Sequence, residues 1–186
     1  MASNPAKLPY EITLGLIKPS LYASAPQVSQ VMRLIKGAGF DVCRSRRIHW
    51  TTEEAEHFYA EHKGRFYFPR LVLAMSEPFM ALALGKNDAI AEWRKLIGPT
   101  HVYKAQWERP ETLRARFGIS DTRNAFHGSD SEANARKELN MVFEGKCNHY
   151  GYKSCFANRL AKKMSRARYR LADTKPSSLS YNAVRL

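Results

Sequence analysis

A chain of 186 residues is enough for one domain with a full core and too short for two comfortable ones. With 44% hydrophobic and 11% aromatic residues, a net charge of +13 and no apolar run near bilayer-spanning length, it reads as soluble and globular. Cys43, Cys147 and Cys155 are odd in number, form no CxxC pair and, with His149, match no standard zinc spacing, which speaks against a disulfide framework or a zinc centre and for a reducing compartment.

The first ten residues, MASNPAKLPY, give way at once to apolar chain without an h-region, so a secretory leader is not expected. YEITLGLI, residues 10–17, is rich in β-formers and stops at Lys18-Pro19, which suits a buried strand presenting a lysine at its end. APQVSQVMRLIKGAGF then places Val28, Val31, Met32 and Ile35 on one helical face with Gly37 and Gly39 as the stop. A strand is expected over FDVCRSRRIHW, a capped helix at TTEEAEHFYAEH, a short helix over FPRLVLAMS and a strand over EPFMALALG. NDAIAEWRKLIG reads as a helix capped by Asn87 or Asp88 and stopped by Gly98-Pro99. A long irregular stretch follows, then NAFHGSDSE, then a helix from about Ser131 to Phe143. This alternation predicts an α+β fold, one sheet with packed helices in the ferredoxin-like βαββαβ arrangement.

The HGSD segment raises the chemical question. Gly, Ser and Asp recur in turns and at helix starts, so alone they say little about His127. A nucleophilic histidine needs a partner that fixes its tautomer and cations that receive an anionic substrate. Glu138, eleven residues on, is placed to fold back on one ring nitrogen and leave the other free, with Ser129 to bridge or orient the pair. Lys18, Arg94 and Arg114 are candidate cations and Thr100 a hydroxyl donor. Lysine, two arginines and a magnesium ion are the parts phosphoryl transfer asks for, since that reaction is mostly positioning and charge neutralisation.

NAFHGSDSE resembles the active-site signature of the nucleoside diphosphate kinases, with Asn124, His127, Gly128, Ser129 and Asp130 in place, and LGLIKPS resembles that family's first strand. Tyr59 in EHFYAEHKGRFYF, Arg94 and Thr100 in WRKLIGPT, Arg114 in LRARF and Glu138 in ARKEL continue the likeness from about residue 10 to 145. The resemblance implies that His127 takes the γ-phosphate from a nucleoside triphosphate and hands it to a nucleoside diphosphate. It implies catalytic roles for His127, Glu138, Ser129, Tyr59 and Lys18. Nucleotide contacts fall to Lys18, Tyr67, Leu71, Arg94, Thr100, Arg114 and Asn124, with Tyr67 under the base. Magnesium is held by the phosphates rather than by protein ligands.

Two departures stand out. HVYKAQWERPETL, between Thr100 and Arg114, is about three residues longer than in the common hexameric members, so their hexamer is not carried over. Asp121 replaces a small apolar residue near the base and is expected to weaken purine stacking. GRFYFPRLV, GPT and ISDTRN resemble the divergent type-six branch, which implies a mitochondrial location, otherwise a cytoplasmic one, and weak or partner-dependent activity. A homo-oligomer or a complex with a mitochondrial partner protein is implied with it.

Three parts are expected: an arm at 1–9, the kinase-like domain at 10–145 and a basic extension at 146–186. The extension carries ten basic residues against Asp173 alone. It reads as a basic amphipathic helix, with Phe156, Leu160, Met164, Ala167 and Leu171 on one stripe and Arg159, Lys162, Lys163, Arg166, Arg168 and Arg170 as charges. Such a helix suits RNA or a ribonucleoprotein such as the mitochondrial ribosome, an anionic membrane surface, or packing on its own domain. The second functional reading is therefore a catalytically weak kinase-fold subunit that docks through its tail.

Overall fold

The computed structural model describes residues 9–143; the arm up to residue 8 and the proposed tail contacts lie outside the described residues. The elements are β1 (Tyr10–Ile17), α1 (Pro19–Tyr22), α2 (Ala25–Gly37), β2 (Asp41–Ile48), α3 (Thr52–Phe58), a 3₁₀ turn (Ala60–His62), α4 (Phe68–Met75), β3 (Phe79–Asn87), α5 (Ala89–Ile97), α6 (Val102–Glu108), α7 (Leu113–Phe117), β4 (Phe126–Gly128) and α8 (Glu132–Phe143). The strands form one antiparallel sheet in the order β2-β3-β1-β4, the arrangement expected of a ferredoxin-like fold.

Alternation along β1 divides the core between the two faces of the sheet. Leu14 and Leu16 join Trp50, Leu71, Met75, Phe79 and Leu139 on the face covered by α3, α4 and α8. Ile17, Leu82 and Leu84 meet Val31, Ile35 and Trp93 on the face covered by α2 and α5. At about 25 cal/mol for each Å² of apolar surface removed from water, these two layers are the dominant favourable contribution to folding.

Several local expectations change. The stretch after Pro99, read as irregular, contains α6 and α7. Their buried residues, Val102, Ala105, Leu113 and Arg114, are too few and too interrupted to declare an amphipathic period. Asn87 ends β3, and Asp88 precedes α5 in the left-handed region at φ 54° without a capping side-chain bond. Asp can enter that region because its short polar side chain supports it. The capping box at α3 is present, Thr51 accepting from the amide of Glu54 while the Glu54 carboxylate accepts from the amide of Thr51. Beta2 carries a register shift between Val42 and Arg44. Between them the Cys43 sulfur lies 3.7 Å from the carbonyl of Asp41, and Cys147 and Cys155 lie outside the described residues.

Candidate active site

His127 is the middle residue of β4, pairing with Leu16 of β1 at the edge of the sheet. The backbone there is fixed from beneath. Trp93 is fully buried, and its indole Nε1 donates to the carbonyl of His127 at 3.0 Å. Gly15 and Gly128 are directly paired across the strands, and both lie against the Trp93 ring: a Cβ on Gly128 would stand 2.5 Å from Trp93 Cδ1. Glycine is thus required at 128 by close approach, and Trp93 joins the site although sequence reasoning gave it only a helical position. A paired Gly in each of two neighbouring strands was the available signal.

Just before β4 the chain turns sharply. Phe126 N–H donates to the carbonyl of Asn124 at 2.8 Å, closing a three-residue turn around Ala125, whose φ is 65°. A γ-turn of that sign is rare and strained, and a non-glycine residue in it costs on the order of 1–3 kcal/mol. The turn aims Asn124 back toward β1, where its Oδ1 accepts from Lys18 Nζ at 2.8 Å. The carbonyl of Ala125 accepts from the Lys18 amide at 2.8 Å.

The carboxylate of Glu138, on α8, accepts at a single oxygen from Ser129 Oγ at 2.6 Å and lies 3.1 Å from Nε2 of His127. A carboxylate only accepts, so Nε2 carries the hydrogen, and in the neutral imidazole Nδ1 is the nitrogen with the lone pair. The His127 and Glu138 side chains are 17% and 15% exposed, dry enough to strengthen the contact yet open to a ligand. Phe58 packs edge-on against the imidazole with ring centres 5.2 Å apart, a contact that spacing alone could not reveal, and Tyr59 meets it at 6.1 Å.

In front of His127 opens a cleft of about 1090 Å³ lined by residues that sequence reasoning scattered over more than a hundred positions. Lys18, Tyr59, Tyr67, Leu71, Arg94, Thr100, Arg114, Asn124 and Glu138 all reach it; Ser129 lies behind, buried and touching Glu138. Arg114 is buried, one terminal nitrogen donating to Gly98 O at 2.6 Å and the other to Phe126 O at 3.1 Å, while Nε has no partner among the described residues. Burial first, and the neighbouring Arg94 second, lower its pKa to about 10. The Lys18 amine is lowered to about 7, by burial first and Arg114 second. Tyr59 is pushed the other way by burial and by the Glu138 carboxylate, so it stays a phenol. Its hydroxyl also lacks a partner among the described residues.

At the opposite wall Tyr67 Oη lies 3.0 Å from His62 Nδ1, orienting the ring, and Leu71 adds a buried apolar surface. Asp121 lines the cleft and directs its carboxylate to His101 and the amide of Val102. The Asp130 carboxyl is held below its usual range by hydrogen bonds from Asn134 and Ser131. Among the described residues no three His, Cys, Asp or Glu side chains form a metal-holding group, and no helix is long and apolar enough to cross a membrane. The cleft therefore combines an imidazole nitrogen, concentrated positive charge and an aromatic wall, a chemistry suited to an anionic aromatic ligand.

Residues 11–147 match the family model described as nucleoside diphosphate kinase. The chain is 42% identical over 134 residues to nucleoside diphosphate kinase 6 of Danio rerio, covering 72% of this chain and 76% of that one. Against nucleoside diphosphate kinase 6 of Homo sapiens the identity is also 42% over 134 residues, covering 72% of each chain. Among solved structures, the nucleoside diphosphate kinase of Aquifex aeolicus superposes with a TM-score of 0.69 at 32% identity, over 72% of this chain and 95% of that one.

Proposed function

The chain belongs to the nucleoside diphosphate kinase family, on a branch like type six, and from that premise we propose that it moves the γ-phosphate of a nucleoside triphosphate to a nucleoside diphosphate through phosphorylated His127. The observation that carries the proposal is the Glu138 contact, which occupies Nε2 and leaves Nδ1 of His127 as the nucleophile at the cleft. In the first half-reaction the Nδ1 lone pair forms a bond to Pγ while the bond from Pγ to the bridging β-oxygen breaks, and the diphosphate leaves. The second half reverses this with a terminal oxygen of an acceptor diphosphate as nucleophile, breaking the N–P bond.

Lys18, Arg94 and Arg114 offset the charge on the phosphates. Among the described residues the Tyr59 hydroxyl and Arg114 Nε have no partner, and both side chains border the cleft that would receive the phosphates. Glu138 offsets the positive charge that develops on the imidazole, and Ser129 holds the carboxylate in place. Tyr67 and Leu71 receive the base by stacking and apolar contact, which read no base edge, so low base selectivity follows. The carboxylates near His127 are already hydrogen-bonded to protein groups, which fits a magnesium ion that arrives with the nucleotide, held by its phosphates as part of the substrate.

The test is incubation of the full chain with γ-labelled ATP and magnesium, with UDP then added. Acid-labile label should appear on the parent protein and pass to UDP, and should be absent from His127→Ala. Equal labelling of that variant would refute the assignment.

A second reading, docking to RNA or a ribonucleoprotein in mitochondria, rests on the charge of residues 146–186 and on the likeness to the type-six branch. Arg159, Lys162, Lys163, Arg166, Arg168 and Arg170 would make the phosphate contacts. Truncation after Gly145 should then remove most affinity for ribosomal RNA and flatten its salt dependence; unchanged binding would refute this reading.

A further inference from the structure

Two separate pieces of chain form the mouth of the cleft. Thr100–Val102 leads into α6, and residues 119–124 lead into β4. Asp121 joins them. Its Oδ1 accepts the backbone N–H of Val102 at 3.0 Å, and its Oδ2 stands 2.7 Å from His101 Nδ1. Those hydrogen bonds, His101 first, hold the carboxyl below its usual range, so it remains an acceptor at neutral pH.

The join continues inward. The backbone carbonyl of Asp121 accepts from Asn124 Nδ2 at 3.0 Å, and the same Nδ2 lies 3.4 Å from the carbonyl of Thr100. Asn124 in turn accepts from Lys18. On the other side, the buried Val102 abuts Gly118, where a Cβ would come 2.6 Å from Val102 Cγ2, so a shift of Val102 is transmitted to the end of α7. Thr100, Asn124 and Lys18 are three of the cleft groups that the nucleotide reading uses.

We propose that Asp121 is a positioning residue for nucleotide binding: by tying His101 and Val102 to the 119–124 segment, it holds Thr100 and Asn124 at the spacing that receives a nucleoside diphosphate or triphosphate. This rests on the nucleotide reading of the cleft. With its carboxylate taken by His101 and the amide of Val102, Asp121 acts through Thr100 and Asn124. A carboxylate at this position is therefore a structural clamp at the edge of the cleft.

The test compares the full chain with Asp121→Ala, Asp121→Asn and His101→Ala, measuring the Kd for ADP with magnesium by calorimetry, KM and kcat of phosphotransfer, and thermal unfolding. Losing both bonds in Asp121→Ala should weaken ADP binding and raise KM by about tenfold, with kcat held within about twofold. Asp121→Asn keeps an oxygen for the Val102 amide and should recover most of the affinity. The Asp121→Ala and His101→Ala effects should fall short of additive in the double variant. ADP binding by Asp121→Ala at parity with the parent overturns the inference, even if its unfolding temperature falls, as does a loss confined to kcat. If Asp121→Ala does not fold, His101→Ala decides: a weakening of about threefold supports the clamp and parity overturns it. Failure of the parent itself to bind ADP overturns the nucleotide reading instead, which keeps the two failures apart.

Discussion

One oxygen of Glu138 serves both the imidazole of His127, at 3.1 Å, and, through a shorter bond, the hydroxyl of Ser129. The carboxylate is thus held from behind while it fixes the ring in front. Glu138→Gln keeps the shape but removes the charge and permits the amide to present a donor to Nε2. Phosphorylation of His127 should slow by about ten- to a hundredfold. Ser129→Ala should cost less, and the double variant less than the product, as expected for groups acting as a unit. Rapid-quench measurement of acid-labile label checks all three.

Lys18 should make nucleotide binding draw a proton from solution. Its folded pKa is about 7, whereas the unfolded chain keeps that proton up to the ordinary value of 10.5. Between those limits the unfolded state binds more protons, so this group makes the empty fold more stable as pH rises through the window. Polyphosphate beside the amine pushes its pKa back up. Calorimetric titration with ADP at about pH 8.5, in two buffers of different ionisation enthalpy, should show uptake approaching one proton. Lys18→Met should abolish it.

Ala125 sits fully buried in a turn whose φ is 65°. Ala125→Val adds a β-branched side chain where backbone and space both resist it, and should lower stability by about 2–4 kcal/mol. Denaturant unfolding followed by Trp fluorescence measures this; a change under about 0.5 kcal/mol would show that the turn relaxes freely.

Gly128→Ala should be more damaging to catalysis than to folding. The new methyl group meets Trp93, which cannot retreat from its buried seat, so β4 has to move and His127 with it. A displacement near 1 Å is enough to cost about a hundredfold in transfer rate. Trp93→Phe, which loses the bond to the His127 carbonyl but keeps most of the volume, should lower the rate by a smaller factor. Single-turnover labelling of the two variants orders them.

The strands and the longer helices were legible because each carries an apolar period of its own: Leu14 and Leu16 against Ile17 in β1, Val31 and Ile35 in α2. The pairing of His127 with Glu138 was legible from the HGSD turn followed by a helix of sufficient length. What escaped was tertiary. Alpha6 and α7 are held by burial of Val102, Leu113 and Arg114 against the rest of the fold, and local propensity carries no trace of that. Trp93 read as one more apolar helix residue until its place under Gly15 and Gly128 was seen. Asp121 stood out as unusual, but its partners, His101 and the amide of Val102, lie twenty and nineteen positions away and depend on a helix the sequence did not announce.

The cations facing the cleft have a consequence for folding as well as for binding. Arg114 repels Lys18 and is itself repelled by Arg94 beside the cleft, and burial penalises Lys18 and Arg114 further. Any polyphosphate that fills the cleft binds the folded chain and not the unfolded one, and so adds to folding stability with the logarithm of its concentration. A variant destabilised elsewhere in the fold should therefore unfold at a higher temperature with saturating nucleotide than without it.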